Sequence, residues 1–282
     1  DMNNDLTAAG FAFVYAARND TLTEEDRAAR RVAFEAEIDR LDAALTAGGP
    51  FRLGSEFTGM DAIIVPTLER WRYQLPLTAQ LDILAGRPGI CRWFEAMEAF
   101  APYSERVEGD AYSWTATNAM FLRYFGGGDE RPEVAAAIAK SDEAADSLAT
   151  AFAAQLETAD SGAGPRREAA AKVVTNHAAV VEDCTREDPL SQKHFPRATA
   201  AVEGVDVVLR HAASVLLSGE DVVEAAQKGP LPELPEGESR TAAALAARTV
   251  AKRLCVPRDM GAPSARVLRG VLATLADRLE KE

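Results

Sequence analysis

Apolar residues recur along this chain three or four positions apart, which is the spacing of an α-helix. The clearest stripe follows Thr23, a predicted helix cap, and consists of Phe34, Ile38, Leu41 and Leu45. No segment alternates apolar and polar residues as a half-buried strand would. Alanine is abundant and runs of β-branched residues are few, which also favours helices. The pattern therefore predicts an all-α protein.

The stretch 50–73 predicts the start of a buried helix. Gly54 is suited to a turn that would strain a residue with a Cβ. Thr58 and Asp61 form a Thr-x-x-Asp box, in which each side chain can accept a hydrogen bond from the backbone N–H of the other residue. The apolar run 62–65 follows at once. We therefore expect a capping box at the amino end of a helix that lies at the centre of a bundle.

The second half of the chain predicts about five amphipathic helices, among them 133–159, 166–185 and a last one from Pro263 to about Leu279. Such helices are too short to be stable alone and must pack on something. We place a first domain at residues 1–128. It ends in an aromatic stretch between Tyr112 and Phe125 that folds back over the helices, and in a glycine hinge at 126–128. A helical extension covers residues 129–282. Gly- and Pro-rich stretches near 160–165 and at 229–237 predict linkers inside it.

Charge and composition narrow the possible partners. The chain has 31 Lys and Arg against 44 Asp and Glu, a net charge of −13, which argues against nucleic acid or an anionic membrane as a partner. No apolar run is as long as the ~18 residues that a transmembrane helix needs. Cys91, Cys184 and Cys255 are far apart in sequence, so we expect neither a disulfide framework nor a zinc site, and a reducing intracellular compartment fits.

No group of residues in the sequence predicts a catalytic site, a cofactor-binding site or a metal site. His177 lies on an apolar stripe and indicates a hydrogen-bonded core or interface residue, His194 falls in a polar loop, and His211 lies at a helix edge. No histidine pair has metal-ligand spacing, and no glycine-rich loop has a nucleotide-binding pattern. Each cysteine is interpreted as a small buried residue rather than a nucleophile.

The first half of the chain resembles a known family. The box within L-G-x-x-F-T-x-x-D, the run Pro-Thr-Leu-Glu-Arg-Trp at 66–71 and the tryptophan helix at 87–97 occur here in one order. Together they resemble the carboxy-terminal helical domain of glutathione transferases, over residues 1 to about 115. The resemblance implies a helical bundle with Trp71 and Trp93 in its core. It also implies that Phe11 and Tyr15, on the first helix, line an apolar cleft or an interface.

In that family a separate thioredoxin-like domain precedes the helical one, holds glutathione and supplies the residue that activates its thiol. No segment of this chain has the strand pattern of such a domain. The resemblance therefore carries over no catalytic residue, and glutathione would be a ligand only if a thioredoxin-like domain were supplied.

Two functions follow from this resemblance. One is a non-catalytic helical binding or scaffold subunit, with another protein or the missing domain as its partner, in a homo- or hetero-oligomer. The other is the helical part of a glutathione transferase whose first domain lies upstream. The stretches 167–184 and 246–263 also resemble extensions of glutathione-transferase-like proteins of plants and algae, which implies a chloroplast rather than a cytoplasmic location.

Overall fold

A computed structural model describes residues 2–16, 19, 21–125, 132–159, 162–185, 202–219, 221–237 and 239–281. Within these residues the regular structure consists of fourteen α-helices, with no β-strand and a single isolated β-bridge between Phe51 and Gly54. The predicted all-α class is confirmed. Among the helices described, none combines the length and the apolar character that crossing a membrane requires.

The chain forms two compact units. The first comprises Asp1–Ser104 and Gly126–Ala137, and the second comprises Glu105–Phe125 and Ile138–Glu282. Residues 105–125 thus belong to the second unit, although the sequence predicted them to close the first domain. The reason lies in Tyr112, whose hydroxyl donates a hydrogen bond to the Lys252 carbonyl (2.7 Å) and whose ring meets Phe152 edge-on. The predicted glycine hinge at 126–128 lies outside the described residues.

Five helices come first in the chain, and the fifth crosses from the first unit into the second after Ser104. In order they are α1 (Met2–Ala16), α2 (Glu24–Gly48), α3 (Gly59–Thr78), α4 (Pro88–Glu98) and α5 (Ala101–Arg106). The helix α2 packs against both α1 and α4. The apolar stripe predicted for α2 is confirmed, because Phe34, Ile38, Leu41 and Leu45 are all buried. A capping box between Thr23 and Asp26 begins this helix.

A close approach between α1 and α3 depends on Gly10. A Cβ atom at this position would lie 2.1 Å from the indole ring of Trp71, so only glycine fits here without a shift. Trp71 in turn meets the ring of Phe34 edge-on, with centroids 4.8 Å apart. One indole ring therefore joins three helices of the first unit.

The remaining helices continue from α6 (Ala111–Phe125). They are α7 (Pro132–Ala149), α8 (Phe152–Thr158), α9 (Ala163–Thr175), α10 (His177–Thr185), α11 (Val202–Leu217), α12 (Val222–Lys228), α13 (Arg240–Arg253) and α14 (Ala262–Lys281). The last helix, α14, is the centre of the second unit: it packs against α8, α9 and α13, and most of its residues are buried.

Two helices that the sequence predicted as continuous are interrupted. The predicted helix 133–159 breaks between α7 and α8 at Thr150 and Ala151, and the predicted helix 166–185 breaks at Asn176. These breaks raise the number of helices above the five expected. The predicted linker near 160–165 is shorter than expected, since α9 already begins at Ala163.

The predicted linker at 229–237 is confirmed as non-helical, but part of it packs against the core instead of extending into solvent. Leu231 and Leu234 pack against the core of the second unit, whereas Pro230 and Pro235 are exposed. A proline-rich segment has few conformations to lose, so it can follow a surface at low entropic cost. This segment therefore links α12 to α13 along the core.

Candidate functional site

Thr58 is the N-cap residue of α3 and forms a capping box with Asp61, although the Thr58 hydroxyl donates to Asp61 instead of accepting from its N–H. The Thr58 N–H and the Thr58 hydroxyl each donate a hydrogen bond of 2.9 Å to Oδ2 of Asp61. The Asp61 N–H donates to the Thr58 carbonyl oxygen over 3.0 Å. Gly54, four residues before the box, has φ 130°, which is the left-handed turn that the sequence predicted.

The second oxygen of the Asp61 carboxylate makes contacts that the box does not reveal. Its Oδ1 accepts a 2.8 Å hydrogen bond from the backbone N–H of Arg52 and a 2.9 Å hydrogen bond from the indole N–H of Trp93. The Asp61 side chain has no exposed surface. Four donors thus compensate a buried charge and join the turn before α3, the start of α3 and the middle of α4. The role of Asp61 is therefore structural: its hydrogen bonds hold these three segments together.

Both tryptophans assigned to the core are buried. Trp71 is 3% exposed and Trp93 has no exposed surface. Trp93 also packs edge-on against Phe94, with ring centroids 4.9 Å apart. These side chains fix the packing of α3 and α4 and are not available to a ligand.

The outer face of α1 differs from the rest of the first unit. Leu6 and Gly10 face the core, whereas Phe11 is 43% exposed and Tyr15 is 52% exposed. The two outer rings stack on each other, with centroids 6.0 Å apart and an interplanar angle of 26°. We call these two residues the aromatic pair. They form an apolar patch on a helix whose other side is fixed in the core.

The cysteines of the second unit are placed too deep for nucleophilic chemistry. Burial raises the pKa of Cys184 to about 12 and the pKa of Cys255 to about 11. Both thiols are therefore protonated at neutral pH, and the thiolate is the reactive form. Cys91 is half-buried in the first unit, and its sulfur lies 3.6 Å from the Leu84 carbonyl oxygen.

Of the three histidines, the structure describes His177 and His211. His177, the first residue of α10, is half-buried, with Nε2 2.9 Å from the Asp206 carboxylate. A hydrogen bond from Arg210 lowers the pKa of that carboxyl, and His177 adds to the effect. Burial lowers the pKa of His211, and nearby Arg278 lowers it further. His194 lies outside the described residues.

Among the residues that are described, no three His, Cys, Asp or Glu side chains are placed to hold a metal ion.

Comparison with known proteins finds a match within the first unit. Residues 24–96 match the family model described as glutathione S-transferase, C-terminal domain. Glutathione S-transferase L2, chloroplastic, from Arabidopsis thaliana is 35% identical over 104 residues, which are 36% of this chain and 34% of the relative. The match thus spans about a third of that curated relative. No solved structure matched significantly. The predicted glutathione transferase C-terminal helical domain is confirmed, and the matched stretch contains α2, α3 and most of α4.

Proposed function

We propose that this chain is a non-catalytic helical binding module built on a glutathione transferase C-terminal domain. It acts by docking another protein domain on the aromatic pair of α1. The partner presents an apolar surface that covers these two rings. The relative in Arabidopsis is named as chloroplastic, and we place this chain in the same compartment.

The observation that carries the proposal is the exposure of two stacked aromatic rings on a helix whose opposite side is buried. Aromatic side chains are enriched at protein interfaces, because they bury a large area at a small cost in conformational entropy. The rings of Phe11 and Tyr15 leave about half of their surface in water, while the same helix is held to the core through Leu6 and Gly10. Docking a partner would remove this apolar surface from water without reorganising the helix.

A crosslinking experiment tests the docking face. A photoreactive benzoyl-phenylalanine placed at position 11 or 15 should crosslink to one discrete protein in native extract, whereas the same group at Val32 should not. Val32 is the matched control because it is an aliphatic side chain, 66% exposed, on another helix of the same unit. The captured protein would be identified by mass spectrometry.

Competition decides whether the aromatic pair itself binds. Unlabelled protein carrying Phe11→Ser and Tyr15→Ser should fail to suppress the crosslink, while Val32→Ser should suppress it as the natural sequence does. Both variants change exposed positions, so each should shift the free energy of unfolding by less than about 1 kcal/mol. Equal competition by the two variants would refute the proposed face.

The second candidate function is the helical part of a catalytic glutathione transferase. The match of residues 24–96 to the family model and the similarity to a protein named as a glutathione transferase favour it. It requires a thioredoxin-like sequence upstream, which would lengthen the natural protein by roughly 80 residues, the size of a small domain. The mass and amino-terminal sequence of the natural protein separate the two functions.

The 282-residue chain is expected to pass through immobilised glutathione without retention. In the resembling family the glutathione site belongs to the thioredoxin-like domain, and this sequence has no segment with its strand pattern. The measurement is the fraction of protein eluted by free glutathione, with a complete glutathione transferase as the positive control. Specific elution of this chain would overturn the non-catalytic proposal and support the second candidate.

A further inference from the structure

A cavity of about 470 Å3 opens on the surface of the second unit. It lies between α9, α10 and the loop 254–261 that joins α13 to α14. Its walls are largely apolar and include the side chains of Val173, Cys184, Leu209, Val250, Leu254 and Leu268, all of which are buried. The volume falls within the range of about 300 to 1,000 Å3 that is typical of small-molecule sites.

Five charged side chains also line this cavity: those of Lys172, Asp183 and Arg258 are exposed and mark its mouth, whereas Arg253 is buried. Arg253 donates to the Asp183 carboxylate over 3.0 Å, and Arg258 forms two 2.8 Å hydrogen bonds to the two carboxylate oxygens of Asp259. The third cation, Lys172, lies at the exposed edge of α9. Three cations and two carboxylates leave one positive charge in excess. This local excess contrasts with the net charge of −13 of the whole chain.

The loop that carries Arg258 and Asp259 is fixed by its own hydrogen bonds. The Cys255 N–H donates to the Asp259 carboxylate (2.8 Å), and the Asp259 N–H donates back to the Cys255 carbonyl oxygen (2.9 Å). Arg258 also donates to the Arg253 carbonyl oxygen over 3.2 Å. The side of the mouth formed by Arg258 and Asp259 is therefore preorganised, and a ligand would not have to order it.

We propose that this cavity binds a small amphipathic monocarboxylate, such as a medium-chain fatty acid or an aromatic acid of similar size. The apolar body lies on the buried floor, and the carboxylate lies at the mouth beside Lys172 and Arg258. One carboxylate matches the single positive charge in excess. A phosphate dianion fits less well, because its second charge would face Asp183 and Asp259 without a further cation.

Calorimetric titration of the full chain with three ligands of equal chain length tests the proposal. Octanoate should bind saturably with one site per chain. Octanamide, which is neutral and nearly the same shape, should bind about tenfold more weakly, because it lacks the charge-assisted interaction. Octyl phosphate should bind no more tightly than octanoate.

Two variants with matched controls locate the binding. Lys172→Gln should weaken octanoate about tenfold and leave octanamide unchanged, whereas Lys140→Gln, an exposed position on α7 away from the cavity, should change neither. Ala179→Trp should abolish binding by filling the cavity. Ala178→Trp is its control, because Ala178 is the preceding exposed residue of α10 and does not line the cavity.

Circular dichroism and the thermal midpoint should show that all four variants remain folded, since each change is at an exposed position. The proposal fails if octanoate shows no saturable binding at millimolar concentration, or if octanamide binds as tightly as octanoate. It fails equally if Ala178→Trp weakens binding as much as Ala179→Trp.

Discussion

Replacing Arg269 with methionine is expected to destabilise the second unit by about 3–5 kcal/mol, the usual cost of removing one partner from a buried charged pair. Arg269 lies in the middle of α14 and is 3% exposed. Its guanidinium group forms an ion pair with Asp110 and donates to the Ser113 hydroxyl (2.9 Å) and the Leu254 carbonyl oxygen. It also lies over the ring of Tyr112, 4.7 Å from the centroid. Methionine would fill much of the space of the apolar stem but satisfy none of these acceptors.

The effect should be large because Arg269 joins three segments that are distant in sequence. Asp110 and Ser113 belong to the start of α6, and Leu254 follows the end of α13. The Ser113 hydroxyl also accepts a 3.0 Å hydrogen bond from the backbone N–H of Val256, so it depends on the same cluster. Losing the guanidinium would leave the Asp110 carboxylate without its cation and would remove the donor to the Leu254 carbonyl oxygen, and a buried polar group that loses its partner costs about 1–3 kcal/mol.

Hydrogen exchange measured by peptide can assign this loss to the correct unit. Arg269→Met should reduce protection in the peptides of α13 and α14, while the peptides of α3 should keep theirs. Arg266→Met is the matched control: it lies on the same helix, is exposed, and should cost less than about 0.5 kcal/mol in urea unfolding. Equal losses for the two variants would contradict the central role of Arg269.

Local features of the fold could be predicted from the sequence. The stripe of α2 and the apolar positions of α14 follow helical spacing, so the sequence indicated which side of each helix is buried. The residue types of Thr58 and Asp61 at their spacing indicated a helix start, and Gly54 indicated the turn before it. These predictions succeed because their causes lie within a few residues of each other in the chain.

Long-range contacts could not be predicted in this way. Helical spacing reports that a side is buried, but not which distant helix covers it. Asp61 is hydrogen-bonded to Trp93, which is 32 positions away in the sequence, and Arg269 is bonded to Asp110, which is 159 positions away. The break between α9 and α10 at Asn176 was also missed, because no Gly or Pro marks it.

The candidate sites also combine features that the sequence predicts with features that only the structure shows. Phe11 and Tyr15 were selected because the family resemblance places the first helix at a cleft, and their exposure emerged only from the packing of α1. The cavity of the second unit had no signal in the sequence. In the sequence, Lys172 has the pattern of a solvated residue on the polar side of a helix. Arg258 lies in a loop 86 residues further along. Only the folded chain brings these two cations to one mouth.

Replacing Asp61 with alanine is expected to destabilise the first unit by about 3–5 kcal/mol. The carboxylate is fully buried and accepts four hydrogen bonds, so its removal would leave the indole N–H of Trp93 and the backbone N–H groups of Arg52 and Thr58 without an acceptor. The lost negative charge would also weaken the favourable interaction with the amino end of α3.

A graded series separates the buried carboxylate from a simple helix cap. Thr58→Ala should cost only about 1 kcal/mol, since it removes the N-cap side chain and leaves the other three donors to Asp61 in place. Glu56→Ala, an exposed acidic position two residues earlier, should cost less than about 0.5 kcal/mol. The measurement is urea unfolding followed by hydrogen exchange in the peptides of α3 and α4. If Asp61→Ala cost no more than Thr58→Ala, the carboxylate would be a helix cap only, and its bonds to Arg52 and Trp93 would not hold α4 to the start of α3.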